Sequence, residues 1–318
     1  MAFEDALIRP GDLVLGWQGE TMPFGIIDLD QGDDGAGTII PPPFPLIGIG
    51  DPGSRLAGQV DLVVAAPVTL TMLAEAIEAN PLTAAIAVQT LRHIEKLPVE
   101  TALHYESLAY GLLQGSGEHR AWREQRKRGR GGPSPAAGKV HLSRDGDRLD
   151  IVLDRPETGN AIDRPMRDAL HEAFTLAALD EEIREVRLSA IGKAFSLGAE
   201  LGEFGTTFDP ATAHAIRMAT LPAHAIARCA DRLRVHVQGG CVGTGVEMSA
   251  FARRITATAN AWFQLPELAM GIIPGAGGCV SLTRRIGRQK AALIILSGKR
   301  IGARTALQWG MIYAIVDD

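Results

Sequence analysis

The stretch FQLPELAMGIIPGAGG (263–278) and the stretch GGCVGTGVE before it (239–247) decide the fold of this chain. Each places a glutamate, Glu267 or Glu247, beside a glycine-rich turn. Glycine lets a substrate approach the backbone closely, and N–H groups at the start of a helix lack intrahelical acceptors and carry partial positive charge. The two stretches therefore predict loops that stabilise a developing negative charge next to two carboxyl groups.

A third glycine-containing turn, FSLGAEL (195–201), follows the predicted strand EVRLSAIG and is expected to lead into a helix. The repeated order of strand, turn and helix predicts an α/β core with parallel strands and right-handed crossovers. Before this core, the pair Asp145-Gly146 predicts a hairpin between two short strands. Asp163 is suited to cap a helix that has Pro165 in its first turn.

Taken alone, each glycine-rich turn is weak, because such turns are common between strands and helices. GTGVE (243–247) loosely resembles a nucleotide-binding loop, but neither a Gly-Lys-Ser/Thr nor a spaced G-x-G-x-x-G with a ribose-binding acid accompanies it. Cys241 has no identifiable base partner and is interpreted as a packing residue. The same interpretation is preferred for His224 and His236.

The order of the pieces is specific. GAEL, GGCVGTGVEM, FQLPE and GIIPGAGG follow one another as they do in the crotonase family, the enoyl-CoA hydratases and isomerases, which this chain closely resembles from about Lys139 to Asp318. RPETGNAID (155–163) is similar to the early R-P-x-x-x-N-A-L element of that family. The resemblance implies an α/β fold built as a ββα spiral, assembled as a homo-trimer or as a hexamer of two trimers.

Position by position, the resemblance implies that the N–H groups of Ala199 and Thr244 form an oxyanion hole and that Glu247 and Glu267 are the catalytic acids. Adjoining residues of the same motifs are implied to contact the substrate: Glu200, Leu201, Gly243 and Gly275. Two positions depart from the family pattern, since Thr244 stands where many relatives have glycine and Arg253 where they commonly have aspartate. A β-branched residue at 244 is expected to narrow the pocket or to shift the loop.

Hydratases of the family carry both acids, whereas many isomerases keep one. The resemblance therefore implies hydration of a 2,3-enoyl-CoA, with coenzyme A as part of the substrate and no separate cofactor or metal. Glu247 is expected to take a proton from the water that attacks C3, and Glu267 to protonate C2. This division of roles stays open, because two carboxyl groups around one water titrate as a pair. The alternatives are a CoA-thioester isomerase, decarboxylase or hydrolase on the same fold, or a CoA-binding protein with weak activity.

The composition, with 46% hydrophobic and 22% charged residues among 318, is typical of a globular protein with a sizeable core. A formal net charge of -5 disfavours nucleic acid as a partner. The three cysteines show neither a disulfide framework nor zinc-ligand spacing, which favours a cytoplasmic location. The N-terminus lacks the apolar core of a signal peptide and no apolar run could span a bilayer, so we predict no membrane association.

The sharpest change in composition falls at RKRGRGGPSPAAG (126–138), where a basic run meets a stretch that cannot pack a core. We predict a linker at 131–138, followed by a crotonase-like core at 139–318. The part at 58–130 resembles the helical tail that family members carry after their core. It is therefore predicted to supply the helical segment of this fold from the N-terminal side.

A short element occurs twice, as GQVDLVVAA (58–66) and as GMIYAIVDD (310–318). This repeat, together with the leftover residues 1–57, favours a fusion behind the remnant of a second copy over a circular permutation. We expect 1–57 to be irregular, because Gly, Pro and Asp are frequent there. An unrelated helical domain before the linker is the third possibility.

If the tail interpretation holds, helix 101–114 covers the acyl pocket, either on its own core or on a neighbouring subunit. Candidate lining residues are Tyr105, Leu108, Tyr110 and Leu112, although such residues at helical spacing are more often plain core. Lys127 and its neighbours are candidates to meet CoA phosphates, while a solvated helix end is preferred for most of this basic run.

Overall fold

The computed structural model describes residues 3–31, 37–127 and 136–317. Most of the predicted linker and the end of the basic run (128–135) lie outside these ranges. The N-terminal part contains, in chain order, β1 (Gly25–Asp28), β2 (Leu46–Ile49), β3 (Leu62–Val63), α1 (Leu70–Ala79), α2 (Pro81–Ile94), α3 (Val99–Gln114) and α4 (Gly117–Lys127).

The C-terminal part alternates strands and helices, as the sequence predicts. Its elements are, in chain order, β4 (Lys139–Asp145), β5 (Arg148–Asp154), α5 (Arg164–Leu179), β6 (Glu185–Ala190), α6 (Pro210–Thr220), α7 (Ala223–Cys229), β7 (Leu233–Val237), β8 (Gly240–Val242), α8 (Thr244–Ser249), β9 (Arg254–Thr258), β10 (Trp262–Gln264), α9 (Gly278–Ile286), α10 (Arg288–Ser297), β11 (Ile301–Gly302), α11 (Ala303–Gln308) and β12 (Ala314–Val316).

The main sheet has the strand order β12-β9-β7-β6-β5-β4 and is parallel except for the β4–β5 hairpin. The hairpin register pairs Asp145 with Arg148, and Gly146 adopts φ 61°, as the Asp-Gly pair predicts. Helix α5 begins after Asp163, whose carboxylate accepts the N–H of Met166 at 3.0 Å. The α/β fold class and both local predictions are confirmed. A smaller sheet, β11-β10-β8, lies next to the candidate site.

The prediction of a helix directly after the glycine-containing turn at 195–201 is wrong. The chain forms only a short 3-10 turn, Leu201–Glu203, and the next α-helix starts at Pro210. The Glu200 carboxylate accepts the N–H of Gly202 at 2.8 Å and so closes the turn on itself. Gly202 and Gly205 then disfavour helix propagation. The Ala199 N–H therefore belongs to a turn and does not gain from a long helix dipole.

The region before the tail holds more regular structure than its composition indicates. Strands β1 and β2 of this region pair in parallel, and β2 pairs in parallel with β3 of the tail. A hydrophobic cluster packs around them, with Leu13, Ile27 and Phe44 among its buried members. Strands of four or fewer residues leave little periodicity to detect between Gly, Pro and Asp, which is why the sequence predicts irregular chain.

Both copies of the repeated element end at equivalent places in a sheet. β3 adds in parallel to β2, and β12 adds in parallel to β9, each at the edge of its sheet. This equivalence supports the interpretation of the first region as a remnant of a second copy, which stays a prediction.

The tail helices pack on the core of their own chain. Helices α1 and α2 contact α10, α2 and α3 contact α9, and α4 contacts the 3-10 turn Glu267–Met270. His119 on α4 lies 2.8 Å, through Nδ1, from the carbonyl oxygen of Met270, and its ring stacks on Trp122. Burial lowers the pKa of His119, so its ring is neutral at neutral pH. The predicted helical segment from the N-terminal side thus docks in cis in this structure.

Gly271→Ala should loosen this docking. Gly271 adopts φ 68°, and a Cβ there would lie 2.5 Å from the backbone nitrogen of His119, so α4 would have to move. Gly298→Ala is the matched control, because Gly298 ends α10 at φ 58° with its nearest foreign atom 3.7 Å from the added carbon. Both variants carry left-handed strain of roughly 1–2 kcal/mol. We expect Gly271→Ala to lose a further 1–3 kcal/mol or so of unfolding free energy from overpacking, measured by urea denaturation. Equal losses in the two variants would contradict the docking.

Candidate active site

Two of the predicted turns meet side by side. The N–H of Val242 donates to the carbonyl oxygen of Ser196 at 2.8 Å, which places the turn at 239–247 against the turn at 195–201. Gly198 has φ 95°, and a Cβ there would lie 3.2 Å from the carbonyl oxygen of Val242. Only glycine fits this approach without displacing the neighbouring backbone. The same Cβ would lie 3.8 Å from the Cα of Gly243. Ala199 and Thr244, which follow these two glycines, are therefore close in space.

Both predicted donors are available. Thr244 is the first residue of α8, where an N–H has no intrahelical acceptor. Around Ala199, the carbonyl of Gly198 and the N–H of Glu200 are bonded to Ile162 at 2.8 Å each. Among the residues that the structure describes, neither the Ala199 N–H nor the Thr244 N–H donates to a protein acceptor. Two such donors on neighbouring turns can bind one thioester oxygen.

Glu247 is oriented by backbone groups. Its side chain is 2% exposed, and Oε2 accepts the N–H of Ala276 at 2.7 Å and that of Gly278 at 3.0 Å. Burial raises the pKa of Glu247 to about 7, an effect that the two hydrogen bonds only partly offset. A carboxyl group with this pKa is poised to accept a proton near neutral pH.

Glu267 lies against the turn that contains Gly243. Its Oε1 is so close to Gly243 that a Cβ on that glycine would come within 2.7 Å. Its Oε2 is buried and has no hydrogen-bond partner within the described ranges. Buried polar atoms in proteins are nearly always bonded, so this oxygen is suited to a substrate or to water. Burial, and then the charge of Glu247, raise the pKa of Glu267 well above its ordinary value.

Helix α3 of the tail covers this site. The ring of Tyr110 on α3 packs directly on Gly275, and its electrostatic surroundings include both Glu247 and Glu267. Burial raises the pKa of this phenol, so it stays neutral. The prediction that helix 101–114 covers the site is supported at this residue.

Three of the four proposed lining residues point away from the site. Tyr105, Leu108 and Leu112 are exposed. They recur at spacings of three and four, so they share the outer face of α3, while Leu103, Glu106 and Tyr110 share the inner one. Glu106 is the single charged residue among the buried residues of α3, a signal of its role that was missed in the sequence.

Arg217 on α6 was also missed. It donates to the Ser107 hydroxyl at 3.0 Å, to the Ser107 carbonyl at 3.0 Å and to Gln114 Oε1 at 2.6 Å. Its guanidinium carbon stands 4.6 Å from the centre of the Tyr110 ring. These contacts hold α3 against α6 and fix the Tyr110 ring over the site.

The residues implied to contact the substrate border the two turns. Glu200 forms an ion pair with the buried Arg155 at 3.0 Å and thereby buttresses the turn at Ala199. Leu201 is partly buried against the core. Gly243 donates its N–H to the carbonyl of Gln264 at 3.0 Å. Contact of these residues and of Gly275 with a substrate stays a prediction.

The other sequence candidates are accounted for by packing and pairing. Cys241 is buried and burial raises its thiol pKa, so the sulfur is neutral and behaves as a small apolar group. His224 lies 2.7 Å, through Nδ1, from a carboxylate oxygen of Glu100, and His236 lies in β7 next to Thr256.

The described residues bring no group of three or more His, Cys, Asp or Glu side chains into an arrangement that could hold a metal ion. In the same residues, no helix is both long and apolar enough to cross a membrane.

Comparison with known proteins identifies a family. The family model described as enoyl-CoA hydratase/isomerase matches residues 148–318. Among curated proteins, the chain is 32% identical to a mevalonyl-coenzyme A hydratase of Beauveria bassiana and 32% identical to the 2,3-dehydroadipyl-CoA hydratase of Escherichia coli. Each match covers 54% of this chain, and the chain spans 64% and 66%, just under two thirds, of those relatives.

Solved structures show the same likeness. The chain is 34% identical to the enoyl-CoA hydratase of Thermoplasma volcanium, with a TM-score of 0.51 over 56% of this chain and 72% of that one. The family model covers more than half of the present chain, and the matched region contains both turns and both glutamates. The chain therefore belongs to the enoyl-CoA hydratase/isomerase family and has its crotonase fold.

Proposed function

We propose that this protein is an enoyl-CoA hydratase that adds water across the double bond of a 2,3-enoyl-CoA. The observation that supports this most directly is the pair of buried carboxyl groups, Glu247 and Glu267, near the turn at Gly243, where the N–H of Thr244 is available. The two acids differ in their surroundings, since one is held by two backbone donors and the other has a buried oxygen without a protein partner. The hydratase and dehydratase names of related proteins support the same reaction.

The surroundings favour a division of roles. Glu247, with a pKa of about 7, accepts a proton from water while the water oxygen bonds to C3. The electron pair of the double bond moves toward the thioester oxygen, where the Ala199 and Thr244 N–H groups stabilise the enolate. Glu267, protonated because burial and the Glu247 charge raise its pKa well above the ordinary value, gives its proton to C2. One water is consumed, and the two carboxyl groups exchange the remaining proton with solvent.

The direct test is hydration of crotonyl-CoA, of a longer 2-enoyl-CoA and of an aromatic one by the purified protein. We expect the enone absorbance to fall with at least one of them and the 3-hydroxyacyl product to form. Tight binding of coenzyme A with no absorbance loss for any of the three would reject hydration and favour a CoA-binding protein with weak activity.

The dependence of kcat/KM on pH should be bell-shaped. Activity should fall as pH drops below about 7, because protonation of Glu247 removes the base. It should fall again at higher pH, when Glu267 loses the proton that C2 needs. Initial rates across pH 5 to 10 or so measure both limbs, which belong to the pair rather than to single residues. A rate that keeps rising as pH falls through this range would contradict the assignment.

Assembly as a homo-trimer or hexamer and a cytoplasmic location remain part of this proposal. The family resemblance supports the first, and the sparse cysteines support the second. Sedimentation equilibrium of the full chain tests the assembly.

A further inference from the structure

Glu106 is a buried charged residue of the tail whose partners all lie in the core. It sits on the inner face of α3 and is 2% exposed. Oε1 accepts the N–H of Gly277 at 2.7 Å, while Oε2 accepts those of Cys279 at 2.8 Å and Val280 at 3.3 Å. Three backbone donors offset part of the cost of burying this carboxyl group, while burial and the charge of Glu247 still raise its pKa well above the ordinary value.

The same loop orients Glu247. Five consecutive residues, 276–280, donate their N–H groups to the carboxyl groups of Glu247 and Glu106. Those of Ala276 and Gly278 go to Glu247, and the other three go to Glu106. Neither carboxyl group can shift its donors without moving the donors of the other, because all five belong to one continuous backbone.

We propose that Glu106 is a positioning residue, which fixes loop 276–280 so that Ala276 and Gly278 hold Glu247 in place at the substrate. The inference rests on the proposed hydration by Glu247 and Glu267. It makes the N-terminal tail part of the catalytic arrangement, in addition to its function as a cover.

The substitution Glu106→Gln separates this role from simple space filling. Both oxygens of Glu106 accept hydrogen bonds, so the amide nitrogen of glutamine would have to face an N–H group of the loop. At least one of the three bonds is therefore lost and the loop must adjust, although the side chain keeps its size.

Glu100→Gln is the matched control. Glu100 lies on the same helix and also joins tail to core, through His224 at 2.7 Å and Arg228 at 3.0 Å, but none of these contacts reaches loop 276–280. A purely structural role of Glu106 would resemble that of Glu100, namely to keep the tail docked.

The first measurement is kcat and KM per folded molecule, with the folded fraction taken from urea unfolding. For Glu106→Gln we expect kcat to fall roughly ten- to a hundredfold with KM within about threefold, because a small misplacement of a reacting group costs this much. For Glu100→Gln we expect both constants to stay within about twofold of the wild type. In the Glu247→Gln background, Glu106→Gln should cause no further loss, since its effect passes through Glu247.

The second measurement is the acid limb of the pH profile. The N–H bonds from Ala276 and Gly278 lower the pKa of Glu247, so weakening them should move this limb to higher pH. Loss of the neighbouring Glu106 charge would by itself move the limb to lower pH, so a shift to higher pH reports the loop. The ionisable groups that face Glu106 and this loop from the packed elements are Glu247, Glu267, Cys279, Tyr110 and Arg217.

An unchanged kcat in Glu106→Gln, an equal loss in Glu100→Gln, an additive loss in the double variant or an acid limb that moves to lower pH would each overturn the inference. If the wild type hydrates none of the enoyl-CoAs, the proposed function fails by itself. Glu106 is then tested by carbon-13 NMR titration of glutamate carboxyls, with the Glu247 signal assigned by its loss in Glu247→Gln. Glu106→Gln must raise the pKa of Glu247, and an unchanged titration would reject the positioning role.

Discussion

Glu247→Gln and Glu267→Gln should each lower kcat for enoyl-CoA hydration by roughly 10²–10⁴-fold, the contribution expected of one general acid or base. Glutamine keeps the shape of the side chain but can neither accept the water proton nor supply a proton to C2. In Glu247→Gln the amide oxygen can still accept the bonds from Ala276 and Gly278, because only Oε2 takes both of them. The fold should therefore survive while the chemistry is lost.

Binding and stability data separate this outcome from misfolding. Both variants should retain coenzyme A binding and should unfold at or above the wild-type urea midpoint. The pKa of Glu247 is raised in the folded state, so its contribution to stability is present at low pH and is lost as pH rises through about 7. A neutral glutamine escapes that loss, so the benefit should be larger at pH 8 than at pH 5 or so. Hydration that persists in both variants would contradict the two-carboxyl mechanism.

Gly243→Ala should lower kcat/KM by about 10²-fold or more, the effect of losing one oxyanion donor. Gly243 adopts φ 47° and ψ -120°, and a side chain at this backbone conformation costs of order 1–3 kcal/mol. A Cβ would also lie 2.7 Å from Glu267 Oε1, so it displaces a catalytic acid as well as the N–H of Thr244.

Gly146→Ala is the control for backbone strain alone. Gly146 also has a positive φ, 61°, but it lies in the β4–β5 hairpin and no atom comes within 4 Å of an added Cβ. This variant should lose roughly 1–2 kcal/mol of unfolding free energy while kcat/KM stays unchanged. Activity is compared per folded molecule, and equal activity in the two glycine variants would reject the role of this turn in the site.

Local features of the sequence predicted much of the core because each follows from chemistry within a few residues. The Asp-Gly hairpin, the cap at Asp163 and the alternation of strands and helices are examples. The helix expected after Ala199 was wrong, because the Glu200 side chain and two glycines close that segment into a turn. Helical spacing in α3 was visible, but it did not show which face of the helix is buried.

The sequence by itself determined the order of the glycine-rich turns, the positions of Glu247 and Glu267, and the family that these motifs resemble. Only the tertiary structure decided that the tail covers its own core, that Tyr110 alone of the proposed lining residues reaches the site, and that Glu106 shares a loop with Glu247. Glu106 and Gly277 are 171 positions apart, so no local pattern links them. The thioester site is assembled from backbone N–H groups, which every residue except proline carries, and only folding brings them together at one point.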